Sequence, residues 1–216
     1  IREEIKIEDG CNNFCSYCII PYVRGRVRSR DLESITKEAN NLVKSGVKEL
    51  VLVGIEVASY GKDLEGVNLF NVIDELNKIE GLERIRLSSV EPLLMTDEFI
   101  DTVAKMPKVC PHFHLSLQSG CDETLKRMNR RYTTDEFEVI VDRIRKYYND
   151  AILTTDIIVG FPDESEEEFK TTYEYLKRIK FYKMHVFKYS PRKGTKAAEM
   201  KNQIPGDVKE LRSKKL

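Results

Sequence analysis

The chain has 216 residues, enough for one large α/β domain or two small ones. Hydrophobic residues make up 41% and charged residues 33%, which supplies a real core and excludes a chain disordered throughout. Thirty-six Lys and Arg balance 36 Asp and Glu, so nucleic acid or an anionic membrane has to be held by a local patch and not by the net field.

No run approaches the roughly 20 apolar residues of a membrane span, and the opening IREEIKIEDGC lacks the apolar core of a signal peptide. A cytoplasmic protein with no membrane partner is expected. Three of the five cysteines crowd into positions 11 to 18, which suits a metal site in a reducing compartment better than a disulfide framework. The chain begins at Ile1, already in strand-like sequence, as a piece cut from something longer would.

Apolar stretches recur at roughly 30 to 36 residues, each followed by a segment of helical period, the pattern of repeated βα units. Six strands are expected, at Ile1 to Ile7, Glu49 to Gly54, Arg84 to Val90, His112 to Gln118, Ile152 to Gly160 and Lys183 to Ser190. The first helix carries Leu32, Ile35, Ala39, Leu42 and Val43 on one face, and the fifth Phe169, Tyr173, Leu176 and Ile179. Thr133 with Glu136 and Ser165 with Glu168 have capping-box spacing. Six such units demand parallel strands with right-handed crossovers, and since an eight-unit barrel needs about 250 residues, a partial (β/α)6 barrel is the better fit.

In the fourth strand Phe113, Leu115 and Leu117 alternate with His112, His114, Ser116 and Gln118, so a polar face turns to the lumen while the apolar face meets helices. The fifth strand repeats this, with Thr154 and Asp156 opposite Leu153, Ile157 and Val159. The three histidines read as satisfied strand residues. The barrel is expected over 1–190, and 191–216 as a peripheral basic tail.

Cys11, Cys15 and Cys18 form C-x3-C-x2-C directly after the first strand, on the rim where βα folds build their sites. Thiolates in one loop suit zinc or an iron–sulfur cluster. Structural zinc needs a fourth ligand, for which Cys121 is the candidate; otherwise Cys110 and Cys121 are buried thiols.

IEDGCNNFCSYCIIPYVRGRVRSR resembles the cluster loop of radical S-adenosylmethionine (SAM) enzymes, specifically methylthiotransferases. LSLQSGCDETLKRMNRRYT, TDIIVGFPDE and KYSPRKGT extend the resemblance from about Ile7 to about Ala198, and GIEVASYG at 54 to 61 looks closest to the branch acting on threonylcarbamoyladenosine (t6A) beside the tRNA anticodon. The resemblance implies that Cys11, Cys15 and Cys18 hold a [4Fe–4S] cluster whose open iron chelates SAM. It implies reductive cleavage of SAM to a 5'-deoxyadenosyl radical and methylthiolation at C2 of the modified adenosine.

Tyr17 would pack on the adenine or shield the cluster. Gly54 and Glu56 stand where the superfamily binds the SAM ammonium, although Ile55 replaces a glycine there. Ser89 and Gln118 would take ribose hydroxyls, Glu91 stands on the same rim, Arg130 would meet the SAM carboxylate, and Phe187 and Lys188 would border the adenine. Asp156 is expected near SAM or substrate. Each has a plainer reading, Tyr17 and Phe187 as core aromatics and Glu56 as a solvated loop acid. Gly160 and Pro162 shape the turn after the fifth strand.

Arg24, Arg26, Arg28 and Arg30 follow the cluster loop within seven residues; guanidinium groups suit phosphate, so the first three are assigned to the RNA, against the plainer reading of a solvated basic loop. The implied partners are a tRNA anticodon loop and an electron donor such as flavodoxin or ferredoxin, with the chain a monomer. A second [4Fe–4S] cluster on a preceding domain and a following RNA-binding barrel are expected outside this chain. The alternatives are methylthiotransferases acting on isopentenyladenosine tRNA or on ribosomal protein and, in another class, a zinc module that grips RNA without catalysis.

Overall fold

The computed structural model describes residues 1–216. Strand β1 (Arg2–Lys6) leads into β2 (Glu8–Asp9), the cysteine loop, a single helical turn α1 (Ile20–Val23) and β3 (Arg28–Ser29), which returns antiparallel to β2. Helix α2 (Leu32–Lys44), β4 (Glu49–Val53), α3 (Leu69–Lys78), β5 (Arg84–Leu87) and β6 (Ser89–Val90) follow, then α4 (Asp97–Ala104), β7 (His112–Leu115), α5 (Asp122–Arg127) and α6 (Thr134–Tyr147). The chain ends with β8 (Ile152–Val159), α7 (Glu166–Ile179), β9 (Lys183–Lys188), α8 (Lys196–Glu199) and α9 (Gly206–Lys215).

The wall runs β1-β4-β5, then β6-β7-β8-β9, all pairs parallel. A parallel bridge from Ile85 to Val109 and the continuity of β5 into β6 join the two halves. β1 and β9 are unpaired outer edges, so the six βα units form an open, partial barrel, as the period of the sequence predicts.

Two strands differ from expectation. The third divides at Ser88, whose N–H still reaches Leu52 (3.0 Å), while Ser89 and Val90 have changed partner to β7. The fourth is interrupted after Leu115, where a side chain takes the ladder's place at Leu117 before Gln118 rejoins β8. Thr155 Oγ1 accepts the Leu117 N–H at 3.2 Å, and the Tyr132 hydroxyl donates to the carbonyls of Ser116 and Leu117.

Phe113, Leu115, Leu117, Leu153, Ile157 and Val159 are all buried, which confirms the apolar side of both strands. Both capping boxes form, at Thr133–Glu136 and Ser165–Glu168. On α7 the buried aromatic is Tyr175, its hydroxyl on Thr134 O at 2.8 Å, whereas Tyr173 is half-buried. The 191–216 segment is not peripheral: Ala197 and Arg212 are buried, and Arg212 pairs with buried Glu164 at 2.6 Å.

Candidate active site

The cysteine loop crosses the C-terminal rim of the barrel and is anchored at both ends. Gly10, at φ +81°, brings the backbone so close to the returning limb that a Cβ would lie 2.0 Å from Arg26 O, which only glycine permits. Ser16 is buried; its Oγ donates to Arg127 O (2.7 Å), its N–H to Met128 O (3.0 Å), and its carbonyl accepts from Ala197 N (2.8 Å). Asn129 Nδ2 reaches Phe14 O at 2.9 Å, holding Phe14 in a left-handed conformation at φ 51°.

All five cysteines are free thiols. Burial pushes Cys11 up to about 11, with Glu56, Cys15 and Cys18 adding repulsion, and burial likewise raises Cys18. Burial and mutual repulsion at Cys11, and burial at Cys18, disfavour these two thiolates unless positive charge joins them. A metal centre supplies that charge, so the donor set fits an iron–sulfur cluster. Cys110 and Cys121 are buried, Cys121 as N-cap of α5.

A polar chain runs from the loop across the rim. Arg130 Nη1 donates to Cys15 Sγ at 3.3 Å, Nη2 to Glu91 Oε2 at 2.7 Å and to Ser116 O at 3.0 Å, and Nε to the Tyr132 hydroxyl at 3.0 Å. The Glu91 N–H in turn donates to Glu56 Oε1 at 3.2 Å. Glu56 is buried, not a solvated loop acid; it also accepts from Ala58 N, and burial with the nearby Glu91 charge pushes it up to about 7. Arg130 is therefore committed to Glu91 and Cys15 and is not a free clamp.

Gly54 is packed against Glu8: a Cβ there would meet Glu8 Oε1 at 2.2 Å, and that oxygen accepts the Glu56 N–H at 2.6 Å. Glu8, Ser16, Asn129 and Tyr132 are supporting residues that sequence reasoning missed. Gln118 (φ 73°) joins β8, its N–H on Asp156 O and its carbonyl on Ile158 N, both at 2.9 Å. Ser89 is exposed on β6 and pairs in register with His114.

Tyr17 is half-buried with its ring edge-on to Phe161 at 6.3 Å. Tyr17, Ile158, Phe187, Lys188, Tyr189, Ser190 and Arg192 line a cleft of about 210 Å³. Phe187 is exposed there, not core, whereas the Lys188 ammonium is drawn to Glu210 at 2.6 Å. A larger groove of about 470 Å³ between α3 and α4 contains none of the cysteines.

The arginine run splits. Arg30 is occupied by Glu38 (2.7 Å), Lys6 O and Ser34. Arg24 and Arg28 stand 3.6 and 3.8 Å from Asp9, and the Arg26 guanidinium lies 4.7 Å over the Phe14 ring. These three remain exposed beside exposed Tyr22 and Val23.

A family model for the Radical SAM superfamily matches residues 5–176. The chain belongs to the radical SAM superfamily. A radical SAM domain binds a [4Fe–4S] cluster and SAM.

Among solved structures, the radical SAM methyltransferase TsrM from Kitasatospora setae superposes with a TM-score of 0.74 at 18% identity, over 90% of this chain and 38% of that one. Coproporphyrinogen III oxidase from Escherichia coli gives 0.68 at 15%, over 98% and 50%; both show the fold. The tRNA-2-methylthio-N(6)-dimethylallyladenosine synthase of Caldicellulosiruptor saccharolyticus is 47% identical over 98% of this chain and 45% of its own length. The threonylcarbamoyladenosine tRNA methylthiotransferase MtaB of Bacillus subtilis is 45% identical over 100% and 48%. The chain thus spans about half the length of these relatives. No helix is long and apolar enough to cross a membrane.

Proposed function

We propose that this chain is the radical-generating core of a tRNA methylthiotransferase, acting on t6A next to the anticodon. The observation that carries the reading is the junction of the three-cysteine loop with the Arg130–Glu91–Glu56 chain on one barrel rim, in a sequence 45% identical to a t6A methylthiotransferase along its whole length. When bound, the cluster and SAM supply a reducing electron and a cleavable sulfonium.

The protein's residues orient that chemistry. Glu56, buried and at the rim, is the anion for the SAM ammonium. Gln118 and Ser89 serve the ribose, and Arg130 fixes Glu91 and steadies Cys15. Tyr17 and Phe187 border the cleft that takes the adenine. Arg24, Arg26 and Arg28, on the outer limb of the cluster loop, meet RNA phosphates in the anticodon loop, and a flavodoxin- or ferredoxin-type donor supplies the electron.

Anaerobic reconstitution with iron and sulfide, then SAM and a reductant, tests this. About four irons per chain with 5'-deoxyadenosine formed is expected; one tightly held zinc with intact SAM would replace it by a zinc-binding module. Addition of t6A or isopentenyladenosine anticodon stem-loops, with hydrogen transfer into deoxyadenosine as the readout, separates the two nucleosides.

A further inference from the structure

The lumen wall contains one polar cluster that the rim chemistry above leaves unused. His114 on β7, Asp156 on β8 and His185 on β9 lie on three adjacent strands, brought side by side by the His114–Thr154 and Asp156–His185 pairings. His185 Nδ1 is 3.3 Å and His114 Nε2 3.4 Å from the same oxygen, Asp156 Oδ1. The two imidazoles stack with centroids 5.9 Å apart and planes 29° from parallel. Behind them, His114 Nδ1 bonds Thr154 Oγ1 at 3.0 Å, which fixes the ring and turns Nε2, buried and making no hydrogen bond of its own, toward the carboxylate.

Both imidazoles address one carboxylate oxygen, so the torsion of the aspartate is set and its Oδ2 is left free. The Asp156 carbonyl accepts the Gln118 N–H, which ties this carboxylate to the strand end already assigned to the ribose. We propose that His114 and His185 are positioning residues that hold Asp156 so that Oδ2 is presented as an anionic acceptor to a ribose hydroxyl of SAM. This rests on the radical SAM reading of the rim.

Burial alone would raise the Asp156 carboxyl, and the contacts with His114 and His185 reverse that and hold it low. These two histidines are the titratable groups that face it; His112 stands beyond His114 on β7, with Arg86 nearby. Removing both imidazoles therefore lets the carboxyl drift upward, and the acceptor is lost at a higher pH than in the wild type.

The test is calorimetric titration of SAM into anaerobic, cluster-loaded protein without reductant, between about pH 5.5 and about 8. His114→Asn/His185→Asn is expected to bind SAM about tenfold more weakly at neutral pH, the loss of hydrogen bonds to a charged group, and the acid limb of its affinity moves to higher pH. His185→Gln, which retains a donor at the half-exposed position, recovers part of the affinity.

Unchanged affinity and pH profile in the double variant, with full iron content, would overturn the inference. So would a loss equal at every pH and accompanied by loss of iron, which marks a structural role. A zinc ion held by Cys11→Ala/Cys15→Ala/Cys18→Ala protein and released by adding His185→Asn would make the trio a metal site instead. If the wild type with full iron binds no SAM, the cofactor reading falls and takes this inference with it.

Discussion

Replacing Arg212 by Met tests whether the C-terminal helix belongs to the barrel. Arg212 is 5% exposed and Glu164 2%. The guanidinium donates to Glu164 Oε2 at 2.6 Å and to Glu164 O at 3.0 Å, and it lies 5.3 Å over the Phe169 ring. Methionine keeps the packing over Phe169 and removes the charge, leaving a carboxylate buried with only the Gly160 N–H at 2.7 Å as donor.

Breaking one side of a buried pair costs about 3–5 kcal/mol, or a melting-temperature drop of about 10 °C for a chain of this size. Burial already pushes Glu164 up despite Arg212, and the variant pushes it further. A raised acid destabilises the fold above its unfolded pKa, so the deficit grows as pH rises above about 4.5 and shrinks as pH falls toward it. Glu164→Gln/Arg212→Met, in which no charge is buried, is expected to regain about half of the loss or more. Denaturant unfolding of the three variants at two pH values decides it. A single-variant loss below about 1 kcal/mol, within the range of exposed pairs, or a double variant no better than the single, would refute the reasoning.

The same linkage applies to Glu56, pushed up to about 7 by burial and Glu91: stability of the cluster-free protein declines as pH climbs from about 4.5 to about 7, by about 3 kcal/mol in all. Glu56→Gln, which can still accept from Ala58 and Glu91, should abolish that slope in pH-dependent melting. Cys15→Ala should lose reconstituted iron while Cys121→Ala keeps it, measured by metal analysis; release of metal by Cys121→Ala would favour zinc. Charge reversal at Arg24 and Arg28 should weaken anticodon stem-loop binding at least tenfold and flatten the salt dependence by about two charges, with filter binding across a salt series as the check.

The barrel was legible in the sequence because its βα period and its alternating strands are local signals, and because a capping box is a spacing of three. Pairing was less legible. His114 and His185 are 71 residues apart in the sequence, and only the order of β7, β8 and β9 puts both on Asp156, so each alone looks like an ordinary strand residue. Glu8 looks like any acid beside another, and its burial depends on Gly54 coming within reach from a strand 46 residues on. The tail misled for a compositional reason: a basic segment reads as surface, while the partner that draws Arg212 inside is an acid in a turn after β8.

The segment GIEVASYG shows why substrate choice is the harder question. Its resemblance to the t6A branch suggests contact with the nucleoside, yet Val57, Ser59 and Tyr60 are buried. The Tyr60 hydroxyl donates to Arg30 O at 2.7 Å, and Gly61 N–H donates to Ser29 Oγ at 2.8 Å. These residues brace the returning limb of the cluster loop, the limb that displays Arg24, Arg26 and Arg28. On the reading proposed above, any effect of these residues on a nucleoside is exerted through the position of that limb, and relatives named for two different nucleosides match this chain to within 2 percentage points of identity.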